Sequence, residues 1–154
     1  MSLKKYLAKK DSRLQVLIKE EKTSKKEIDD LFAIVHRDIK SSEEASNLNL
    51  DWQFGIAYNA ALKLCVIPNR ASGVRVSGGP HHYISILCLP YYLGERFEKD
   101  AIYLNRCRRV RNRVEYHSVG GVSESDVKEL IEFCKELLDS VNEWIYANHT
   151  ELMK

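Results

Sequence analysis

Between Arg106 and His117 the chain reads Arg-Cys-Arg-Arg-Val-Arg-Asn-Arg-Val-Glu-Tyr-His. Guanidinium groups bind phosphate oxygens in a two-pronged fashion, and an imidazole gains or loses a proton near neutral pH. Together they suit phosphate-ester chemistry. RNA carries its own nucleophile, the 2′-hydroxyl, so cutting it requires a base for that proton and fixed positive charge for the crowded phosphorane. On residue type, Arg111 and His117 fill those two roles. The same residues also have an ordinary reading, because arginines on an amphipathic helix usually form a solvated face and a histidine near a helix end usually caps or packs. Residues six apart sit roughly 120° apart on an ideal helix. Arg111 and His117 therefore converge only through the reach of the arginine, a helix that ends near Tyr116, or a site shared between two chains.

Other candidate groups carry less. Adjacent side chains on a helix diverge, so His81 and His82 make a poor metal pair, and no further Cys, Asp or Glu stands at ligand spacing. They are expected to cap or pack at a helix start, and no metal and no cofactor is expected. Trp52, Tyr58 and Trp144 could stack on bases, yet aromatics at helical spacing are more often core. Asp51 and Asn59 share a helix face and could reach the arginine-rich segment; if buried there, Asp51 or Glu115 is the expected partner of one of its arginines. Cys65, Cys88, Cys107 and Cys134 are widely spaced, without a CxxC pair, and read as reduced core residues. There is no glycine-rich phosphate loop, metalloprotease motif or serine-nucleophile elbow.

The elements that must position these residues are helical. With 154 residues the chain is the size of one domain, and 44% hydrophobic with 30% charged residues excludes a disordered, collagen-like or membrane-spanning protein. Lys+Arg 24 against Asp+Glu 22 leaves a net charge of +2, so only local charge can point to a nucleic acid. No apolar stretch suits a bilayer or a signal peptide, which predicts a cytoplasmic protein. Ser24 to Glu27 has the form of a capping box opening a helix to about Ala45. Asp51 is the expected N-cap of a second helix that should stop or kink before Pro68, and Ser72 to Pro80 reads as a loop. The run His81 to Leu93 is apolar at nearly every position, so periodicity separates helix from strand poorly; a helix is favoured. A fourth helix from about Arg96 to Tyr116 puts Tyr103, Cys107, Val110 and Val114 on one face and ends at Gly120-Gly121. Ser123 and Asp126 cap a last helix with an apolar stripe from Val127 to Ile145. The expected architecture is all-α: an antiparallel up-and-down bundle over residues 24–150, with residues 1–23 as a short helical extension packed on the outside.

Arg111-Asn112 followed by His117 resembles the R-x(4–6)-H motif of the HEPN superfamily, with its polar residue just after the Arg. The run from Asp51 to Ala61 (Asp-Trp-Gln-Phe-Gly-Ile-Ala-Tyr-Asn-Ala-Ala) is similar to the second-helix signature of small bacterial and archaeal members. Pro80-His81-His82 resembles their paired histidines, and Arg108 to Tyr116 resembles their R-R-x-R-N-x-x-x-Y run. The resemblance spans about Ser24 to Tyr146. It implies a helical bundle and a homodimeric, metal-independent endoribonuclease that leaves a 2′,3′-cyclic phosphate. It also implies the toxin half of a toxin–antitoxin pair, whose partner is a nucleotidyltransferase-type antitoxin. Carried over, Arg111 holds the scissile phosphate, Asn112 orients it, and His117 moves the proton. Arg108, Arg109 and Arg113 bind flanking phosphates, with Asp51, Glu115 and Tyr116 in support. The alternatives are a non-catalytic module that binds RNA or nucleotide through the same arginines, and a helical bundle whose arginine face takes an acidic protein partner.

Overall fold

In the computed structural model, residues 1–45, 49–116 and 121–153 are described. Ser24 sits in extended backbone and its hydroxyl accepts the Glu27 amide, which starts helix α2 (Lys25–Glu44), the first helix α1 being Leu3–Lys10. Ile28, Phe32, Val35 and Ile39 line one buried face of α2. Helix α3 (Leu50–Ala71) is the hub, packing against α2, α4 (His81–Leu93), α5 (Glu98–Tyr116) and α6 (Glu124–Asn148). Its small residues Ala57, Ala60 and Ala61 are fully buried, which lets neighbouring backbones come close: the Cys134 thiol of α6 donates to the Ala57 carbonyl at 3.2 Å. The expected all-α helical bundle is the fold. Capping by Ser123 and Asp126 is also as read, each side chain accepting the other's backbone N–H.

Several boundaries differ from the sequence reading, for physical reasons. Asn49, not Asp51, caps α3, its side-chain oxygen accepting the Trp52 amide; Asp51 lies in the first turn, where a carboxylate favours the helix dipole. The helix runs through Pro68 to Ala71: the proline forfeits the N–H bond to the carbonyl four residues back, and the burial of Ile67, Pro68, Arg70 and Ala71 offsets that loss. Helix α5 begins at Glu98 after a short 3-10 turn over Glu95–Phe97.

The segment Ser72 to Pro80 is not all loop. Val74–Val76 forms a strand, β2, paired antiparallel with β1 (Ile18–Glu20), Lys19 opposite Arg75. The amino-terminal residues are correspondingly more than an outer layer. Leu3, Leu7, Leu14 and Ile18 form a second buried cluster with Ile84 and Cys88 of α4, so α4 is covered on both sides. This explains why its sequence is apolar all round.

The small sheet is tied to the bundle by one arginine. Arg70, 3% exposed, donates to the Glu27 carboxylate at 2.7 and 3.0 Å and to the Glu21 and Lys22 carbonyls at 3.0 and 3.1 Å. Arg75 joins from β2, reaching the Glu27 carboxylate at 2.9 Å and pairing with Glu21. The Arg70 guanidinium, with help from Thr23 and Arg75, holds the Glu27 carboxyl down at about 2. Glu27 therefore does not complete a capping box with Ser24. The four cysteines are free and buried, and burial pushes their thiols up, Cys107 to about 11 and Cys88 and Cys134 to about 12. They are protonated core residues, as expected.

Candidate phosphate-binding site

The arginines of α5 divide between two sides of the helix. Arg108 and Arg111, three residues apart, lie over rings from other helices, whereas Arg106, Arg109 and Arg113 fall on a different side and are exposed. The Arg108 guanidinium lies 5.3 Å from the ring centre of Tyr83 on α4, and its Nε donates to the Asn105 side chain at 2.9 Å. Arg111 lies 5.9 Å from the ring centre of Tyr58 on α3, and its Nη1 donates to the Asn112 side chain at 3.4 Å. Ring faces attract guanidinium groups and hold them without neutralising their charge. Arg106 instead stays over Tyr103, in its own helix, beside a cleft of about 230 Å³ that Asp126 and Glu129 also line.

The first turn of α4 brings a second imidazole to this place. Nδ1 of His82 is hydrogen-bonded to the Tyr58 hydroxyl at 3.3 Å, and the His81 ring meets the His82 ring edge-on at 4.5 Å. Nδ1 of His81 donates to the Gly78 carbonyl at 2.9 Å. The paired histidines thus pack at the start of α4, one of the two roles expected of them, and do not cap it. Half-burial, then the positive charge of His81, Arg111, Lys63 and Arg108, pulls the His82 imidazole down to about 4. It is neutral at neutral pH, and burial likewise keeps the Tyr58 hydroxyl protonated. The site therefore combines two anchored guanidiniums with an uncharged imidazole.

Beyond Arg111 the surface opens into a cavity of about 630 Å³ between α2, α3 and α5. Asp51 and Asn59 line it together with Arg111 and Val114, so the expectation that this α3 face reaches the arginine helix holds. Asn59 donates to Asp38 at 2.5 Å, and the other Asp38 oxygen accepts from Arg37 at 2.8 Å. Asp38 is 6% exposed. Trp52 corrects the sequence reading: it is 66% exposed on the cavity rim, not core. Tyr58, by contrast, is buried, and Trp144 is partly buried against the core.

Sequence reasoning missed Arg37 and Asp38. One signal was available: Asp38 interrupts the apolar stripe of α2, and a carboxylate there must find partners inside. Of the remaining expected site residues, His117 and the side chains of Glu115 and Tyr116 lie outside the described residues. Arg109 and Arg113 are on α5 but are not brought to the Tyr58–His82 cluster. Among the described residues no group of three His, Cys, Asp or Glu side chains could hold a metal ion, and no helix is long and apolar enough to cross a membrane. No family model, curated protein or solved structure gives a significant match to the chain.

Proposed function

We propose that this chain is an RNA-cleaving protein of the HEPN type, acting as a homodimer without a catalytic metal. One observation carries the reading. Two arginines of the motif helix, Arg108 and Arg111, are anchored on aromatic rings beside a neutral imidazole, and Arg111 also lines an open cavity. Fixed positive charge of this kind stabilises a developing phosphorane more than a substrate phosphate, because it need not reorganise as charge accumulates. In the proposed reaction His117 takes the 2′-hydroxyl proton and the 2′-oxygen attacks the adjacent phosphorus. The 5′-oxygen of the next nucleotide departs and takes up a proton, leaving a 2′,3′-cyclic phosphate and a free 5′-hydroxyl. Arg111 holds the phosphate, Asn112 orients it, and Arg108 holds a neighbouring one. The biological setting that fits is a toxin restrained by a nucleotidyltransferase-type antitoxin.

A non-catalytic RNA- or nucleotide-binding module is the second reading, favoured by the fact that the anchored arginines alone suffice for binding. Cleavage of a mixed RNA pool in EDTA, by wild-type protein and the His117→Ala variant with end-group analysis, separates the two. Cyclic-phosphate ends that vanish in the variant support the nuclease. RNA binding without cleavage by either protein overturns the nuclease in favour of the binding module.

A further inference from the structure

We infer that the outward face of α5 is a second RNA-binding surface, a row of arginines that takes the backbone of a paired stretch of RNA. The inference deepens the proposed function, on which it rests for RNA as the polyanion. Lys99, Ile102, Arg106, Arg109 and Arg113 follow one another at alternating spacings of three and four residues, and all are exposed. With 3.6 residues per turn they fall within about 80° of arc and run along about 21 Å of helix. Arg108 and Arg111 project from nearly the opposite side, about 170° round, over rings of α4 and α3. The row is therefore a separate surface from the candidate phosphate site.

The charge of this row is unanswered within the protein. On α5 no residue three or four places from Arg106, Arg109 or Arg113 is acidic. Arg106 with Arg109, and Arg109 with Arg113, are instead like-charge neighbours, which destabilise a helix. Lysines on other helices are answered: Lys25 meets Asp29 at 2.6 Å, Lys26 meets Asp30 at 2.7 Å, and Lys135 reaches both Glu43 and Glu132. Among the described residues no carboxylate pairs with Arg106, Arg109 or Arg113. Asp126 and Glu129 line the cleft beside Arg106 without pairing with it, and at the amino end of the row Glu95 is exposed and Glu98 lies 3.9 Å from Lys10.

Occupants of such a face differ in what they need. A second copy brought onto it by a two-fold axis would set arginine against arginine. A protein partner needs an apolar centre, and Ile102 is the one large exposed apolar side chain of α5 among the described residues. A nucleic-acid backbone needs no such centre, because its interfaces are polar and strongly positive. Single strands gain much of their affinity by stacking bases on aromatic rings. The row offers no open ring, since Tyr103 lies under the Arg106 guanidinium and against Phe133. A paired stretch, which is met through its phosphates and its shape, fits what the row presents.

The test reads binding apart from cleavage. An RNA hairpin methylated at every 2′-hydroxyl has lost the nucleophile and stays whole. Wild-type protein should bind it roughly tenfold or more tightly than a methylated unpaired strand of equal length, with log affinity falling linearly in log salt. Replacing Arg106, Arg109 and Arg113 together by Gln should weaken hairpin binding about 30-fold or more and lower the salt slope by about two units. The melting temperature should hold or rise, because like charges are removed. Replacing the same three by Lys should keep most of the affinity. Hairpin affinity unchanged in the glutamine variant, or equal losses for hairpin and unpaired strand, overturn the inference. So would displacement of the hairpin by polyglutamate of equal charge at equal concentration, which would assign the face to an acidic protein. Cleavage of ordinary RNA by wild-type protein is scored separately. Hairpin binding through the row without cleavage supports the row and removes the nuclease; cleavage with hairpin affinity indifferent to the row removes the row and leaves the nuclease.

Discussion

Arg70 and Arg108 are the same side chain put to opposite uses. Arg70 is almost wholly buried at the end of α3, and its donors go to a carboxylate and two backbone carbonyls. Arg108 is half-buried on α5, and its contacts are neutral: an asparagine oxygen and the face of a tyrosine. The first arrangement neutralises the charge and fixes β1 and β2 to the bundle. The second fixes the charge in place and leaves it to act outward. An arginine-rich sequence therefore says little about function until its partners are known, because partner chemistry decides whether an arginine is a clamp or a receptor.

The comparison can be broken by measuring stability at both places. Arg70→Met should lower the unfolding free energy by about 3–5 kcal/mol, since it leaves the Glu27 carboxylate with only Thr23 and Arg75 and takes the guanidinium donors from the Glu21 and Lys22 carbonyls. Arg108→Met should change it by less than about 1 kcal/mol. Urea denaturation of the two variants checks this, and equal losses would show that Arg108 is structural too. Arg111→Ala comes next in size. If its guanidinium stabilises the phosphorane, cleavage should fall roughly 100-fold or more, about 3 kcal/mol in the barrier, with the fold intact by circular dichroism. Arg108→Gln should leave more of the cleavage and instead reduce the salt dependence of RNA binding by somewhat less than one unit in the log–log slope. A binding isotherm series in increasing salt reads it.

The imidazole beside the arginines gives a smaller, pH-dependent effect. His82 is pulled from an ordinary 6.5 to about 4 in the fold. Between those values the unfolded chain takes a proton that the folded one refuses. Stability is thus full above pH 6.5, declines as pH falls, and levels off below about 4. The residue is only partly buried, so screening reduces the effect to about 1 kcal/mol. Thermal melts from pH 7 to 4 should fall less steeply for His82→Gln than for wild type; identical slopes would mean that burial and the cations around it do not depress the His82 imidazole.

Much of the fold was legible because the helices are long, capped and periodic. The apolar stripe from Val127 to Ile145 and its Ser123–Asp126 cap name α6 without ambiguity. The small sheet was not legible. Its strands have three residues each, Ile18 is the one buried position among the six, and the partners lie more than fifty residues apart in sequence. The site was half legible. Arg111 and Asp51 were visible from their types and spacing, but the exposure of Trp52 was not, because an indole at helical spacing looks alike whether it faces a core or a cavity. Asp38 was hidden by a different cause, since its role depends on Asn59 from another helix.

The smallest effect tests whether the two capping signals, similar on paper, differ in the protein. Ser123 and Asp126 exchange both hydrogen bonds, so each helps to satisfy the first turn of α6. Ser24 receives only the backbone half, because Glu27 turns away to Arg70 and Arg75. Replacing Ser123 or Ser24 by Ala should cost about 1 kcal/mol in either case, the usual loss for an N-cap hydroxyl. The residues three places on should then diverge. Asp126→Ala should cost no more than its cap does, whereas Glu27→Ala should cost several-fold more, about 3 kcal/mol, because it strands the buried guanidinium of Arg70. Chemical denaturation of the four variants checks the pattern. Equal costs for Asp126→Ala and Glu27→Ala would mean that the Arg70 clamp adds nothing beyond a helix cap.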